Sequence, residues 1–270
     1  MAKRYDFVVI GGGLAGCMVC LSISSKNKSV CLIEKNRISK IISDDYSPLS
    51  LSINSVNFLK EKNIWDENLI KSNLIESLYI KLFNSFNTIK ISTSDINLES
   101  IGQVVDKVSF LSHLRNLCKK NKNIDVLDNT ELDINQMESL SKIYLPNESE
   151  AIDFGQLIVT DGTNSKFAEK LNIPYKNINY DQTSYIFNGE YDSMEKSAAQ
   201  IFTDKGVFAV LPGNGNKKSI VATIHNKFID DFKFESNTVN KNLLERQLLP
   251  YIKNLKNLKL IYKHPLNTAR

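Results

Sequence analysis

The hydrophobic and polar positions near the N-terminus follow the pattern of a strand, a glycine turn, a helix and a second strand. An apolar run over Phe7–Ile10 leads into Gly11-Gly12-Gly13, and an apolar segment of helical length follows. A second apolar run, Val30–Ile33, ends at an acidic residue, Glu34. Short runs that are apolar throughout are typical of buried parallel strands. The pattern therefore predicts a βαβ unit at the start of the chain.

Farther along, the periodicity changes several times between helical and strand spacing. Helices are predicted over Ile53 to Trp65 and Val108 to Cys118, because apolar residues recur there every three or four positions. A last helix is predicted near Val239 to Leu255, bent or broken at Pro250. The predicted strands are hairpins at Ser77–Leu82 with Thr88–Ser92 and at Ile143–Leu145 with Ala151–Phe154, and single strands at Ile124–Leu127, Leu157–Thr160, Tyr185–Phe187, Ala199–Phe202, Val207–Leu211 and Ser219–Ile224.

The order of these elements predicts two domains. Strands and helices alternate over residues 1–173, which are expected to form a Rossmann-like α/β domain that binds a dinucleotide. Residues 174–270 are mostly strand and are expected to form a second, β-rich substrate domain. The hairpin near 77–92 is assigned to that second domain. The boundary is placed at Ile173-Pro174, where the composition changes.

The glycine turn has the spacing of a dinucleotide-binding loop. Gly11, Gly13 and Gly16 fit the motif G-x-G-x-x-G. In that order, the three glycines permit a tight turn, let the backbone approach a pyrophosphate, and let the helix pack closely on the strand. Leu14 and Ala15 begin the helix, whose first N–H groups would face the phosphates.

The acid at the end of the second strand completes this motif. Glu34 lies 18 residues beyond Gly16, where such loops carry the residue that accepts hydrogen bonds from the adenosine ribose. Its negative charge would repel a 2′-phosphate, so the motif predicts FAD or NAD rather than NADP. The alternative is a glycine turn in an α/β domain that binds nothing. The presence of every part in the required order favours the dinucleotide site.

The composition narrows the range of functions. The chain has 270 residues and a formal net charge of +4, and its basic residues are scattered and almost all lysine. Nucleic-acid binders cluster such residues on one face, so no nucleic-acid partner is expected. The four cysteines, Cys17, Cys20, Cys31 and Cys118, lack metal-ligand spacing, and no metal site is expected. Cys17-x-x-Cys20 is interpreted as two buried thiols rather than a redox pair.

Location is predicted from what the sequence lacks. No signal peptide precedes the first strand, and no apolar run approaches the length that spans a bilayer. The free cysteines suit a reducing compartment, so the cytoplasm is expected. Peripheral contact with a membrane stays open.

A second motif, Asp161-Gly162-Thr163-Asn164-Ser165, follows the apolar strand Leu157–Thr160. With the glycine turn and Glu34, this D-G-x-x-S pattern resembles the aromatic-ring flavin monooxygenases of the para-hydroxybenzoate hydroxylase type, and among them the ubiquinone-biosynthesis hydroxylases. The resemblance covers nearly the whole chain. Its other segments are Leu49–Ser52 through Ile64-Trp65, Ile101–Val105 before Leu111 and Leu114, Phe202 with Gly206, Ala209 and Leu211-Pro212, and His264-Pro265-Leu266.

This resemblance implies an FAD-dependent monooxygenase that hydroxylates a phenolic or prenylated ring in ubiquinone biosynthesis, with NAD(P)H as reductant and O₂ as the oxygen source. In the first domain, Asp161 and Gly162 would lie near the pyrophosphate and the NAD(P)H approach, and Gln103 would touch the ribityl chain of FAD. No catalytic acid or base is assigned. The residues expected to bind the cofactor are Gly11, Gly13, Leu14, Ala15, Gly16, Glu34, Gln103, Asp161 and Gly162.

Three departures from the family pattern affect these expectations. Ser47 stands where the family has an arginine near the flavin, and Ala168 stands where the family's D-G-x-x-S-x-x-R ends in arginine. The chain ends at Arg270, before the family's G-D-A motif and flavin-walling helix. The C-terminal return to the FAD domain is therefore expected to be missing. The sequence would then be a fragment or truncated frame, or a second chain would complete the site.

Two alternative functions stay open. One is a non-catalytic or degenerate flavoprotein-like subunit of a biosynthetic complex, which Ser47 and Ala168 would suit. Its partners would be the other subunits. The other is a flavin-dependent reductase acting on prenyl chains, which shares the first motif. For each of these functions, a cytoplasmic location is expected, and a place peripheral to the inner membrane stays open. Bound, reducible FAD would distinguish a flavoenzyme from a non-catalytic subunit.

Overall fold

The computed structural model describes residues 3–24, 26–38, 46–82, 85–133, 135, 137–139, 141–146, 151–162, 165–174, 177–192, 196–213, 218–234, 241–248 and 251–269. The strands are β1 (Lys3–Ile10), β2 (Val30–Ile33), β3 (Pro48–Ser52), β4 (Ser72–Ile75), β5 (Ser77–Leu82), β6 (Thr88–Ser92), β7 (Gly102–Asp106), β8 (Ile124–Leu127), β9 (Met137–Ser139), β10 (Lys142–Tyr144), β11 (Ala151–Val159), β12 (Asn177–Asp192), β13 (Ser197–Phe202), β14 (Gly206–Leu211), β15 (Lys218–His225) and β16 (Lys253–Ala269). The helices are α1 (Leu14–Ser24), α2 (Ile53–Glu61), α3 (Thr93–Ile96), α4 (Lys107–Lys120), α5 (Lys166–Lys170), α6 (Ile229–Phe232) and α7 (Lys241–Leu248), with a 3₁₀ turn at Asn226–Phe228.

The first sheet has the strand order β8-β2-β1-β11-β10-β9. β1 pairs in parallel with β2 on one side and with β11 on the other, and β8 continues the parallel part. The register places Ile10 opposite both Ile33 and Val159, so three strands end at one edge. Doubly wound sheets bind ligands outside the carboxyl ends of their strands at such a point. The predicted Rossmann-like α/β fold is confirmed.

Helices and loops cover both faces of this sheet, which explains the short apolar runs. On one face, Val9 and Leu32 pack with Cys20 of α1 and Leu114 of α4. On the other face, the alternate residues of β1 and β2 pack around Phe167 of α5. Burying each large side chain stabilises the fold by roughly 1.5–3 kcal/mol. The position of β1 in the sheet follows from this two-sided burial.

A small sheet with the order β3-β7-β4 links the first sheet to the rest of the chain. The predicted helix after β3 is confirmed as α2, and the Ser52 side chain caps it by accepting a hydrogen bond from the Ser55 N–H (3.2 Å). β7 leads directly into α4, where the Asp106 carboxylate accepts from the Ser109 N–H (2.9 Å). This junction fixes the start of α4, whose other end reaches the glycine turn described below.

The third sheet has the order β16-β12-β15-β14-β13-β5-β6 and forms the β-rich part of the fold. Its core is aromatic: Tyr185 and Phe187 of β12 contact Phe234, and Phe208 of β14 contacts Phe232. The alternation of inward apolar residues predicted most of these strands. The second-half strands named from the sequence all lie in this sheet.

The hairpin β5–β6 belongs to this third sheet, because β5 pairs in parallel with β13. The residues at its tip, 83–84, lie outside the described part, as do Thr163 and Asn164 of the second motif. The assignment of residues to two domains stays a prediction.

The prediction for the C-terminal segment is partly wrong. The helix expected near Val239 to Leu255 is confirmed only at Lys241–Leu248, and residues from Lys253 onward form strand β16. Residues 235–240 and 249–250 lie outside the described part. Proline at position 250 disfavours helix in the residue before it. Pairing of β16 with β12, which is far away in sequence, determines the structure beyond that point.

Candidate functional site

The glycine turn joins β1 to α1 in a conformation that side chains would obstruct. Gly11 has φ +101, and a Cβ there would lie 2.5 Å from the Thr160 carbonyl oxygen. A Cβ on Gly16 would overlap the carbonyl oxygen of Gly11. The Gly11 N–H also donates to the Ile33 carbonyl (2.8 Å), which ties the turn to β2. These two glycines therefore shape the turn itself.

Gly13 is different, because it faces open space. A Cβ built on it would meet no protein atom within 4 Å. Leu14 and Ala15 follow as the first residues of α1, where backbone N–H groups have no acceptor within the helix. Negative charge is stabilised at such a helix terminus. The space in front of Gly13 thus suits a phosphate group.

Glu34 is a buried carboxylate at the end of β2, with an exposed fraction of 7%. Its Oε2 accepts from the Gly12 N–H (2.6 Å), and its Oε1 accepts from the Asn36 N–H (2.9 Å) and side-chain amide (3.1 Å). These bonds fix the carboxylate beside the turn. Oε1 thus accepts two hydrogen bonds, whereas Oε2 accepts one and keeps lone-pair capacity for a hydroxyl donor.

The second motif lies on the neighbouring strand, directly after β11. The Thr160 hydroxyl lies within hydrogen-bond distance of two carbonyls of the first motif, Ile10 (2.8 Å) and Gly11 (3.0 Å). Asp161 and Gly162 follow it and are exposed, and Gly162 has φ +105. Thr160 therefore binds the two motifs to each other, a contact that the sequence alone did not indicate.

These residues surround one open cleft of about 970 Å³ at the carboxyl ends of β1, β2 and β11. The cleft brings together five of the residues predicted from the sequence: Gly11, Gly13, Glu34, Asp161 and Gly162. Other parts of its wall come from Lys35 and Asn36 after β2, the segment at Thr130–Asp133 after β8, and the lysines of α5. A cleft of this volume lies within the range of pockets that bind small molecules and cofactors.

Gln103 does not line this cleft. It lies in β7, is 7% exposed, and its Oε1 accepts a hydrogen bond from the Ser72 hydroxyl (2.7 Å) on β4. Contact between Gln103 and the ribityl chain stays a prediction, and it would lie outside this cleft.

At the two positions where the family pattern has arginine, Ser47 and Ala168 form hydrogen bonds through their backbone atoms. The Ser47 N–H donates to the Asp106 carboxylate (2.9 Å), and the Ser47 carbonyl accepts from the Lys107 N–H (2.7 Å). The Ala168 N–H donates to the Ser165 hydroxyl that caps α5 (2.9 Å). Cationic side chains of α5, Lys166 and Lys170, line the cleft instead.

Among the charged residues of the cleft that sequence reasoning missed, Arg115 is the buried one. It lies on α4, is 7% exposed, and its Nε donates to the Gly12 carbonyl (2.9 Å). Its position among apolar residues of an amphipathic helix was the available signal. An arginine at a core position of a helix indicates either a buried partner or a ligand.

The Cys17-x-x-Cys20 pair is confirmed as two buried thiols on α1. The Cys17 thiol lies 3.6 Å from the Gly12 carbonyl, and the Cys118 thiol lies 3.7 Å from the Cys17 carbonyl. Hydrogen bonding with Cys118 lowers the pKa of Cys17, whereas burial raises the pKa of Cys20. These thiols pack behind the turn and do not line the cleft.

Comparison with known proteins gives a family match and several relatives. The family model described as glucose inhibited division protein A (GIDA) matches residues 6–260. The chain is 27% identical over 231 residues to the mitochondrial ubiquinone biosynthesis monooxygenase COQ6 of Caenorhabditis elegans, which covers 78% of this chain and 50% of that protein. It is 27% identical over 165 residues to the tRNA uridine 5-carboxymethylaminomethyl modification enzyme MnmG of Mycoplasma capricolum, covering 60% of this chain and 25% of that protein.

The fold has close counterparts among solved structures. PqsL of Pseudomonas aeruginosa, described as a probable FAD-dependent monooxygenase, superposes with a TM-score of 0.73 at 12% identity, covering 96% of this chain and 73% of that one. The chain spans about half the length of the nematode relative. None of the helices in the described part of the chain has the length and apolar character needed to cross a bilayer. The resemblance to flavin monooxygenases, inferred from the motifs, is confirmed by these matches.

Proposed function

The chain belongs to the family described as glucose inhibited division protein A, and from its match to a COQ6 monooxygenase and the cleft geometry we propose that it binds FAD and hydroxylates a phenolic ring. The reductant in this proposal is NADH or NADPH, and O₂ supplies the oxygen atom. The substrate class is a phenol, with or without a prenyl chain, in ubiquinone biosynthesis. The match to a COQ6 protein over 78% of the chain supports this class.

The observation that carries the proposal is the pairing of an open Gly13 with a buried, oriented Glu34 at the carboxyl edge of the parallel sheet. The Glu34 Oε2 atom, held at 2.6 Å from the Gly12 N–H, would accept from a ribose hydroxyl. Gly13 would leave room for the pyrophosphate, and the N-terminus of α1 would stabilise its charge. These residues therefore fit the adenosine half of FAD.

The proposal assigns Asp161, Gly162 and Gln103 to other parts of the cofactor. Asp161 and Gly162 would lie beside the pyrophosphate, held against the first motif by Thr160. Gln103, on β7, would meet the ribityl chain where the cofactor extends beyond this cleft. When bound, FAD would supply the redox chemistry, and the chain would orient the cofactor and exclude water from the ring.

The MnmG relative raises tRNA modification as a competing assignment. Its match covers 60% of this chain, against 78% for COQ6, and the lysines are scattered along the sequence. Tight nucleic-acid binding depends on clustered cations. Both observations favour the small aromatic substrate. A cytoplasmic location, peripheral contact with the inner membrane and association with biosynthetic subunits remain part of this proposal.

The test is product analysis with the purified chain, FAD, NADH or NADPH, and a prenylated phenol. The proposal expects a product heavier by one oxygen atom, formed only when FAD and reductant are both present. The Gly13→Val variant serves as the cofactor-free control. Reduction of bound FAD with no hydroxylated product would favour the prenyl reductase, and a chain that binds no reducible FAD would favour the non-catalytic subunit.

A further inference from the structure

Arg115 is a buried charge beside the glycine turn. It projects from α4 next to the fully buried Leu114, and its side chain is 7% exposed. Its Nε donates to the Gly12 carbonyl at 2.9 Å. A guanidinium carries five N–H donors. Within the part of the chain that the structure describes, this carbonyl is the one acceptor it contacts, and no carboxylate lies within ion-pair distance.

A buried guanidinium with one neutral acceptor is unfavourable unless an anion completes its surroundings. Arg115 also lines the open cleft, so the missing partner can enter from there. The rest of the guanidinium forms a planar fork that matches two oxygens of a phosphate. The chemistry of the residue therefore points to an oxyanion in the cleft.

Gly12 places Arg115 close to the region where such an anion would lie. The Gly12 N–H donates to Glu34 Oε2 (2.6 Å), while the Gly12 carbonyl accepts from Arg115 Nε (2.9 Å). Glu34 and Arg115 therefore bind the N–H and the carbonyl of the same residue, Gly12. Because Glu34 suits a hydroxyl donor and Gly13 leaves space for a phosphate, the adenosine-side phosphate of a bound dinucleotide would lie between these two residues.

We propose that Arg115 binds the phosphate attached to the adenosine of the dinucleotide, through its terminal N–H groups. This inference rests on the proposed cofactor site and adds a residue to it. The same contact to Gly12 makes Arg115 a positioning residue for the turn. A residue that only supported the turn would contact Gly12 but not the phosphate. Comparing a ligand that carries phosphate with one that does not separates these two roles.

The experiment compares the binding of ADP and of adenosine, each measured by calorimetry, to the wild-type chain and to Arg115→Gln. Loss of the phosphate contact should weaken ADP binding by about 10- to 100-fold and adenosine binding by less than about 3-fold. The salt dependence of ADP binding should also become shallower. Arg246→Gln, at an exposed position of α7, is the matched control and should leave both affinities unchanged.

The thermal midpoint without ligand separates the two roles. Arg115→Gln keeps an N–H donor for the Gly12 carbonyl and removes a buried charge that lacks an anion, so this midpoint should stay unchanged or rise. A lower midpoint with equal losses for ADP and adenosine would overturn the phosphate assignment. Arg115→Lys keeps the charge without the fork, and should lose ADP affinity selectively but to a smaller extent. If Arg115→Gln fails to fold, the binding of ADP and of adenosine is compared with Arg115→Lys instead.

The outcomes also distinguish this inference from the proposed function. Wild-type chain that binds FAD, with Arg115→Gln binding ADP equally well, would reject the role of Arg115 and leave the flavin site intact. Wild-type chain that binds ADP through Arg115 but not FAD would reject the flavin assignment alone. Absence of ADP binding to the wild type would overturn both.

Discussion

At the scale of single residues, two glycines of the same motif, Gly13 before α1 and Gly16 within it, restrict the site for different reasons. Gly16 is surrounded by protein, and a Cβ there would overlap the Gly11 carbonyl oxygen and lie 2.7 Å from the Thr160 hydroxyl. Gly13 has no protein atom within 4 Å of the same position. The fold requires the first glycine, whereas only a ligand would require the second.

This contrast gives a paired prediction. Gly13→Val should fold with near wild-type stability but should not bind flavin, because the side chain would occupy the position of the pyrophosphate. Gly16→Val should lose stability by about 1–3 kcal/mol or more without any ligand, because the backbone must shift. Thermal unfolding and flavin content of the two purified variants provide the measurement. Equal flavin content in Gly13→Val and the parent would remove this turn from the cofactor site.

Glu34 supports a second prediction at this scale. Glu34→Ala should weaken FAD binding by about 1–3 kcal/mol, because hydrogen bonds from the ribose to a charged acceptor are lost. It should also destabilise the fold, since the Gly12 and Asn36 N–H groups lose their acceptor. Glu34→Gln keeps the side-chain shape and one acceptor oxygen, so it should lose less FAD affinity and less stability than Glu34→Ala. FAD titration of the three proteins checks the order, and a Glu34→Ala affinity equal to wild type would contradict it.

The sequence indicated Glu34 but not Arg115, and the reason is physical. Glu34 belongs to a local unit in which strand, turn and acid are fixed relative to each other by short chain segments. Arg115 meets Gly12 across 103 residues, through the packing of α4 on α1. Its position among the apolar residues of an amphipathic helix indicates burial but does not identify the residue that it contacts. A contact between residues so far apart in the sequence produces no motif with a recognisable spacing.

At the scale of elements, β1 is held to its neighbours at two points. At the carboxyl end, Thr160 bonds it to the segment after β11. Midway along β1, the Asp6 carboxylate accepts from the Ser29 N–H (2.9 Å) and hydroxyl (3.0 Å) and pairs with Lys28 (3.1 Å), just before β2. These bonds fix the register of β1 on β2.

Asp6 makes the stability depend on pH in acid. Hydrogen bonds from Ser29 and the charge of Lys28 lower the pKa of Asp6 from 3.8 to about 2 in the folded chain. A depressed folded-state pKa contributes stability that is complete above the unfolded value and is lost as the pH falls toward 2. Asp6→Asn should therefore flatten the stability profile between about pH 4 and pH 2. Urea unfolding at several pH values measures this, and an unchanged slope would count against the contact.

Elements differed in how well the sequence predicted them. The hairpin β5–β6 followed from alternation around a short turn, but its parallel pairing with β13 did not, because that partner lies more than 100 residues away. β16 was missed, since its residues are rich in lysine and asparagine and its pairing with β12 is non-local. Pro265 fits there because β16 is an edge strand, where a missing N–H is tolerated.

At the scale of the whole molecule, the cleft and the aromatic core are built by different sheets. The cleft residues come from the ends of the first sheet, whereas the aromatic core lies in the third. The sheets meet through β4 and β7, where Ile75 and Val104 pack with Ala198, and through the Asn188 amide, which donates to the Tyr46 carbonyl (2.8 Å). The sheets therefore stabilise each other through these contacts, whereas the proposed adenosine contacts would all lie around the first sheet.

This arrangement predicts that stability and cofactor affinity can be separated. Phe208 is fully buried in the third sheet and is not among the residues that line the cleft. Phe208→Leu should lower the free energy of unfolding by about 1–2 kcal/mol, because the smaller side chain leaves part of the aromatic cluster unfilled. FAD affinity of the folded protein should stay within about 2-fold of wild type, since no lining contact changes. A large loss of affinity at unchanged fold would show that the two sheets are coupled at the site.

The central claim is that the cleft at the ends of β1, β2 and β11 binds FAD by its adenosine half. The most direct test is a titration of the purified chain with FAD, followed by flavin fluorescence and repeated with competing ADP and with NAD. The account predicts one FAD per chain, displaced by ADP and absent from Gly13→Val. A wild-type chain that binds NAD tightly but cannot be loaded with FAD, or FAD binding that ADP does not displace, would contradict it.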